Sequence, residues 1–392
     1  MFSTEDIRRV RQETPGLGHR VHLDNCGSSL MPEPVVSAMK SYLDTEMRLG
    51  GYVAQEQQLG ALSDAYDSLS TLFGGKSTDY ALASSAVDAW TKAFYSIPLT
   101  AGDNIVTVFN DYCSNYVACL QRAKRDGVEI RVARAKSDGT LDLDHLADLV
   151  DSRTRIISLA QIASSDGLVA DAAAVGKIAA ASNAFYLLDA CQSVGQIPVN
   201  FAEIGCHMAT ATSRKFLRGP RGIGFLYVNA EARAKLDPVV ITNKSAAWVA
   251  DNEYELATDA SMFEAWEKSC MVQMGFGQAL KYFLAMGVGK ATGQTQRLAA
   301  DLRGRLKSLR GIKVECPEAA QAAIITFNKE GWDAADVRVA MAEKGVTVQV
   351  STIFHTRLDY TARGIQAAVR VSPHYYNTPA ELDQFLNTLE DL

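Results

Sequence analysis

Two short segments of this 392-residue chain place opposite charges at the ends of apolar runs. Residues 184–188 form an apolar stretch closed by Asp189, within Leu187-Leu188-Asp189-Ala190-Cys191-Gln192. Residues 207–212 form a second run, followed by Ser213, Arg214 and Lys215 and then by Leu217-Arg218-Gly219-Pro220-Arg221-Gly222, a turn through which neither helix nor strand continues. If both runs are buried strands of a parallel sheet, the carboxylate and the lysine emerge at its carboxyl edge, where open α/β sheets bind ligands. With the hydroxyls of Ser84, Ser85 and Thr212 they meet three demands of pyridoxal phosphate: an acidic partner for the ring nitrogen, an amine for a Schiff base with the aldehyde, and donors for the phosphate. Taken singly, Asp189 reads equally well as a strand-end cap and Lys215 as a solvated lysine. Their joint occurrence is what points to the cofactor.

The elements that must position these groups show as an alternation along the chain. Helical periodicity over 59–73, 87–97, 116–126, 142–150 and 172–181 separates strand-like runs at 104–109, 129–133, 155–161 and 184–188. This predicts a mostly parallel sheet wrapped by helices. Past Pro238 the pattern changes to a loop carrying Trp248 and Trp266, then to long helices up to about Arg310. Strand-like runs near 322–327, 347–351 and 367–371 and an amphipathic closing helix from Pro379 predict a smaller α+β domain, which a helix over 33–47 joins. The expected divisions are 1–50, a cofactor-binding 51–245, an interface loop with long helices over 246–310, and 311–392.

Nearly the whole chain resembles the class V aminotransferases of pyridoxal-phosphate fold type I, the family of cysteine desulfurases, cystine and ergothioneine-pathway C–S lyases, kynureninase and isopenicillin N epimerase-like proteins. The resemblance rests on Leu23-Asp24-Asn25-Cys26-Gly27-Ser28-Ser29-Leu30, Asp189-Ala190-Cys191-Gln192, Thr212-Ser213-Arg214-Lys215 and Val369-Arg370-Val371-Ser372-Pro373-His374-Tyr375-Tyr376-Asn377-Thr378. It implies that Lys215 carries the Schiff base and acts as the base at the α-carbon, that Asp189 pairs with the pyridinium nitrogen, and that Gln192 bonds the ring hydroxyl. Ser85 and Ala86, at the start of the helix holding Trp90, would form a phosphate site with Thr212 and Arg214, although Ser85 is also an ordinary helix cap. Tyr112 falls where the family sets an aromatic ring over the cofactor, or is a core tyrosine. Asn115 and Gln161 would approach the ring from that side. Arg370 would clamp the substrate α-carboxylate with its planar fork. Asn25 joins it as a substrate contact, and His374 is either another or a satisfied core histidine. His355 reads as a proton donor to a leaving group or as a loop histidine.

Desulfurases of this family carry a cysteine between the second small-domain strand and the carboxylate-binding arginine. Residues 350–359, Val-Ser-Thr-Ile-Phe-His-Thr-Arg-Leu-Asp, contain none, and no cysteine follows Cys316. The reading is therefore a homodimeric C–S lyase acting by α,β-elimination on a cysteine-like amino acid. Transamination and epimerisation are the alternatives, ahead of a desulfurase or a catalytically silent cofactor-binding protein. A net charge of −6 gives no basic footprint for nucleic acid, and no run of 18 apolar residues suggests a membrane span. The start, Met-Phe-Ser-Thr-Glu-Asp, is unlike a secretory signal, so the cytoplasm is the expected location. The seven cysteines have no metal-ligand spacing and read as reduced thiols.

Overall fold

The structure, a computed structural model, describes residues 2–392. In chain order its strands are β1 (Val21–His22), β2 (Tyr80–Ala83), β3 (Asn104–Val108), β4 (Glu129–Ala133), β5 (Thr154–Ala160), β6 (Phe185–Asp189), β7 (Met208–Thr212), β8 (Gly224–Val228), β9 (Ala246–Ala250), β10 (Glu253–Leu256), β11 (Ile312–Val314), β12 (Ile325–Lys329), β13 (Val346–Thr347), β14 (Gln349–Thr352) and β15 (Ala367–Val371). The helices are α1 (Thr4–Gln12), α2 (Glu33–Leu49), α3 (Gly51–Gln57), α4 (Leu59–Phe73), α5 (Ala86–Tyr95), α6 (Cys113–Asp126), α7 (Leu143–Asp148), α8 (Ala172–Ala180), α9 (Phe201–Ile204), α10 (Ala230–Arg233), α11 (Cys270–Met286), α12 (Val288–Ser308), α13 (Ala334–Glu343), α14 (Arg357–Ala362) and α15 (Pro379–Glu390).

Seven strands form one sheet in the order β2-β8-β7-β6-β5-β3-β4. All neighbours pair in parallel except β8, which runs against both β2 and β7. The predicted parallel sheet is thus present, with one antiparallel strand, 224–228, that the alternation did not reveal. Strands β3, β7 and β8 are buried along their whole length, as a sheet covered on both faces requires. Their side chains are apolar or small and hydroxylated, apart from Asn104, as that burial favours. Helices start where capping side chains sit: Ser85 accepts from the Asp88 N–H, Asp171 from Ala174, and Thr378 forms a reciprocal box with Glu381 ahead of Pro379.

A second sheet, β11-β12-β15-β14, is antiparallel and encloses its own core of Phe327, Val369, Val371, Leu382 and Phe385. Here the ordered strand begins at Ile325, three residues beyond the predicted start at 322, because Ala322 instead hydrogen-bonds the Gly167 carbonyl of the large sheet's loop. The short β1 pairs in parallel with β13, tying the N-terminal segment to this unit. Helix α2 packs on α11 instead, whose Phe276 and Leu280 belong to the large core. Residues 246–256, expected as a loop, are an antiparallel hairpin, β9 on β10. The turn residues Asp251 and Asn252 between the two strands are its only local signal.

Candidate active site

The carboxyl ends of β3, β5, β6 and β7 open on a cavity of about 250 Å³. Asn110 and Tyr112 follow β3, Ala163 and Ser164 follow β5, Asp189 ends β6 with Cys191 and Gln192 just beyond, and Thr212, Arg214 and Lys215 follow β7. Ser85, Ala86 and Trp90 of α5 complete one wall. The structure therefore brings together Lys215, Asp189, Gln192, Tyr112, Ser85, Ala86, Thr212 and Arg214. Chain order alone scatters them over 130 positions. They meet because parallel strands deliver all their connecting loops to one edge.

Asp189 is buried and held at both oxygens: Oδ1 accepts the Cys191 N–H at 2.9 Å and Oδ2 accepts Asn115 Nδ2 at 3.0 Å. Lys215 faces the cavity, and burial lowers the pKa of its ammonium, with the Arg214 charge acting the same way against the opposite pull of Cys191 and Asp189. A lysine so placed releases its proton more readily and offers a nucleophilic amine. Its loop is tightly set. Gly195, at φ +87°, lies so close to Phe216 that a Cβ there would sit 2.5 Å from the Phe216 carbonyl carbon. Three residues on, the buried Arg218 guanidinium donates to Thr14 Oγ1 at 2.6 Å, Leu30 O at 2.9 Å and the Tyr375 hydroxyl at 3.1 Å, and stands over the Tyr376 ring. It ties the lysine loop to both ends of the chain.

Two buried polar atoms on the cavity wall, Trp90 Nε1 and Gln192 Oε1, have no hydrogen-bond partner. Buried polar groups are ordinarily satisfied, so a donor and an acceptor left over here suit a polar ligand. At the start of α5, strand β8 passes so near that a Cβ on Gly224 would lie 2.6 Å from the Ala86 nitrogen. Only glycine lets the helix N-terminus, with its free N–H groups, sit over the strand ends. These features fit pyridoxal phosphate. Lys215 would hold its aldehyde, Asp189 its ring nitrogen, Gln192 its ring hydroxyl, and Ser85, Ala86, Thr212 and Arg214 its phosphate. Burial raises the Tyr112 phenol above its ordinary pKa, Cys113 and Cys191 adding to this, so the ring stays neutral.

Next to the wall residue Ser164, Arg370 donates from Nη1 to the Ser164 carbonyl at 3.3 Å and from Nη2 to Asp24 Oδ1 at 3.5 Å, while its buried Nε has no partner. The pair with Asp24 is long, and burial still raises the Asp24 carboxyl above its usual pKa against the pull of Arg370. Much of the guanidinium's bonding capacity is thus unspent beside Ser164, a residue of the cavity wall.

Arg370 is not itself a lining residue, and four other sequence candidates, Asn25, His374, His355 and Gln161, are also off the cavity wall. Asn25 is fully buried, donating to Ser372 O at 2.7 Å and accepting the Tyr376 hydroxyl. Both ends of its amide are used in holding the N-terminal segment to the C-terminal motif, a structural role for the residue expected as a substrate contact. His374 is also fully buried; its Nδ1 accepts the Tyr375 N–H at 2.9 Å, so its Nε2 must donate to Phe216 O at 3.0 Å. Burial, helped by Arg218, holds its pKa well below the ordinary value. Of the two readings open for it, the core histidine is the one the packing fits. His355 lies in a one-turn helix, Ile353–His355, with Nδ1 against Thr352, and burial and the Arg370 charge lower its pKa. Gln161 is likewise off the wall, while Asn115 is on it and bonded to Asp189.

The sequence reading passed over Asn110, Trp90 as a free donor, Cys191 and Arg221, all of which line the cavity. Cys191 lay in plain view inside Asp189-Ala190-Cys191-Gln192, and Arg221 inside the turn after the lysine. Nothing in composition marks Asn110.

Comparison with known proteins agrees with this geometry. The family model described as "Aminotransferase class-V" matches residues 21–385. A probable cysteine desulfurase of Methanothermobacter thermautotrophicus is 27% identical over 99% of this chain and 98% of its own length. Among solved structures, a cysteine desulfurase from Thermococcus onnurineus superposes with a TM-score of 0.90 at 23% identity, covering 100% of this chain and 98% of that one. The cystine C–S lyase C-DES, solved with its product cysteine persulfide, gives 0.87 at 17% identity over 97% and 99%. At such identities the two structures establish the shared fold.

Proposed function

Because this chain belongs to the class V aminotransferase family, whose members work with pyridoxal 5′-phosphate, we propose that it is a pyridoxal-phosphate-dependent C–S lyase acting by α,β-elimination on a cysteine-like amino acid. The observation that carries the choice is the segment between β14 and β15. It holds His355 but no cysteine, and Ser351 and Thr352 end β14 just before it, so this loop offers no thiol to take sulfur from the substrate; the thiols near Arg370 and Lys215, Cys26 and Cys191, have pKa values raised by burial. The relatives named as cysteine desulfurases and as a cystine C–S lyase support sulfur chemistry on this scaffold.

Bound, the cofactor supplies an aldehyde that condenses with amines and a ring that takes up electrons freed at the α-carbon. Arg370 binds and orients the substrate carboxylate from its place beside Ser164. Lys215, the cavity lysine of lowered pKa, takes the α-proton onto Nζ. Asp189, fixed by Asn115 and the Cys191 N–H, would hold the ring nitrogen. Tyr112, a neutral phenol on the cavity wall, can give a proton to the departing sulfur. Elimination then balances as substrate plus water giving pyruvate, ammonia and a thiol.

The same proposal takes the protein as a homodimer, supported by the large apolar side chains exposed on α2, α3 and the hairpin, Met47, Tyr52 and Trp248 among them. It also places the protein in the cytoplasm; among the described residues no helix is long and apolar enough to cross a membrane. The test is a panel of cysteine, cystine and S-substituted cysteines with pyruvate, ammonia, thiol and alanine all assayed. Pyruvate and ammonia in equal amounts are expected, and should persist when each cysteine is singly replaced by alanine. Alanine as the main product would restore the desulfurase, and turnover that depends on an added keto acid would make the protein a transaminase.

A further inference from the structure

Asp111 sits in the connection between β3 and α6, behind the wall made by Tyr112 and Asn115. It is buried, and four donors surround it. Thr107 Oγ1 lies 2.5 Å and Ser158 Oγ 3.5 Å from its Oδ2, while the Tyr112 N–H at 2.7 Å and Asn115 Nδ2 at 3.1 Å bond its Oδ1. Every one of these partners is neutral. Asn115 Nδ2 also donates to Asp189 Oδ2 at 3.0 Å, so one amide nitrogen spends its two hydrogens on two carboxylates. That arrangement admits no flip of the amide, whose oxygen would face two acceptors.

We propose that Asp111 is a positioning residue for the cofactor's ring nitrogen, acting through Asn115 on the orientation and proton affinity of Asp189. The inference rests on the cofactor reading above and goes beyond it. A buried carboxylate that faces another and has no cation among its partners is costly, and an asparagine there would satisfy the same neutral groups more cheaply. The negative charge is therefore what the site retains. The titratable groups around it are Asp189 across the Asn115 bridge and, on α6, Tyr116 and Cys119. Burial, with Asp189 adding, pushes the Asp111 carboxyl up to about 6, which leaves it ionised at neutral pH. The two bridged carboxylate oxygens lie no more than about 6 Å apart, and at that range an ionised Asp111 makes Asp189 bind a proton-bearing partner more tightly. The ring nitrogen consequently keeps its proton to higher pH.

The experiment is a pH titration of the ring nitrogen by ¹⁵N NMR in holoenzyme reconstituted with ring-¹⁵N pyridoxal phosphate, comparing wild type with Asp111→Asn. The variant should hold the cofactor on Lys215 at full stoichiometry but lose the ring proton at a pH lower by roughly one to two units, the size of a neighbouring charge at that distance. A superimposable titration would overturn the proposal, whatever the change in melting temperature. If Asp111→Asn does not fold, Asn115→Ser carries the test, because it cuts the bridge and leaves both charges. Because the Asp111 charge remains and Asp189 loses a donor that stabilises its ionised form, an upward shift there supports the proposal, and no shift or a downward one refutes it. A wild-type protein with no Lys215-linked cofactor would instead sink the functional reading.

Discussion

Replacing Arg370 by lysine keeps a cation beside Asp24 while removing the planar fork, which separates substrate binding from folding. The guanidinium spends its Nη atoms on contacts of 3.3 and 3.5 Å to Ser164 and Asp24, both at the long end of hydrogen bonding, and a carboxylate arriving beside Ser164 would form shorter ones. A hydrogen bond to a charged group is worth about 1.5–3 kcal/mol net, and lysine can supply one of the two parallel bonds. Losing the other should weaken amino-acid binding roughly 10- to 150-fold, at 1.4 kcal/mol per tenfold. Asp24 keeps a counter-ion, so the substitution leaves no unpaired buried carboxylate and the fold should be retained. The assay is the dissociation constant of an unreactive amino-acid analogue, measured beside cofactor content and melting temperature on the same preparation. Unchanged affinity would show that Arg370 serves only Asp24, and loss of cofactor in step with affinity would show that the substitution damages the cavity itself.

Two further outcomes test the site and the fold. Lys215→Ala should abolish the borohydride-reducible cofactor linkage while the protein stays folded by circular dichroism; a labelled peptide carrying any other lysine would displace Lys215 from its role. Asp359, in α14, has its carboxyl pushed up to about 6 by burial and the neighbouring Asp166, above the roughly 3.9 of an unfolded chain. The folded state therefore binds the extra proton between about pH 4 and 6, and stability falls as pH rises through that window. Asp359→Asn should be near neutral at pH 4 and stabilising by up to about 3 kcal/mol at pH 8. Denaturant unfolding that shows the same difference at both pH values would contradict this.

Chemistry was most legible where it coincides with the end of an element. Asp189 and Lys215 each follow a buried strand, and a strand end is visible in sequence because apolar runs stop abruptly at polar residues. The hairpin of β9 and β10 went unread because it is exposed on both strands and has no apolar face to announce it. Strand β8 was equally hidden, since an antiparallel member of a parallel sheet follows a turn and not a helix. Helix α13 lay in a stretch whose mixed surface gives only a weak helical period.

The sequence by itself determined a carboxylate and a lysine at the ends of two strands, the helix-wrapped parallel sheet and the missing cysteine before Arg370, all of which are properties of residue type and local order. Only the tertiary structure decided which polar residues are free to act. Asn25, His374 and Arg370 are all polar groups in motif-bearing segments, yet packing engages both ends of Asn25's amide and both ring nitrogens of His374, while leaving Arg370 Nε without a partner. Hydrogen-bond capacity is used up by neighbours that the chain brings from far away, Phe216 to His374 and Ser372 to Asn25. The bridge from Asp111 through Asn115 to Asp189 has the same origin, because β3 and β6 come together only with β5 between them in a folded sheet.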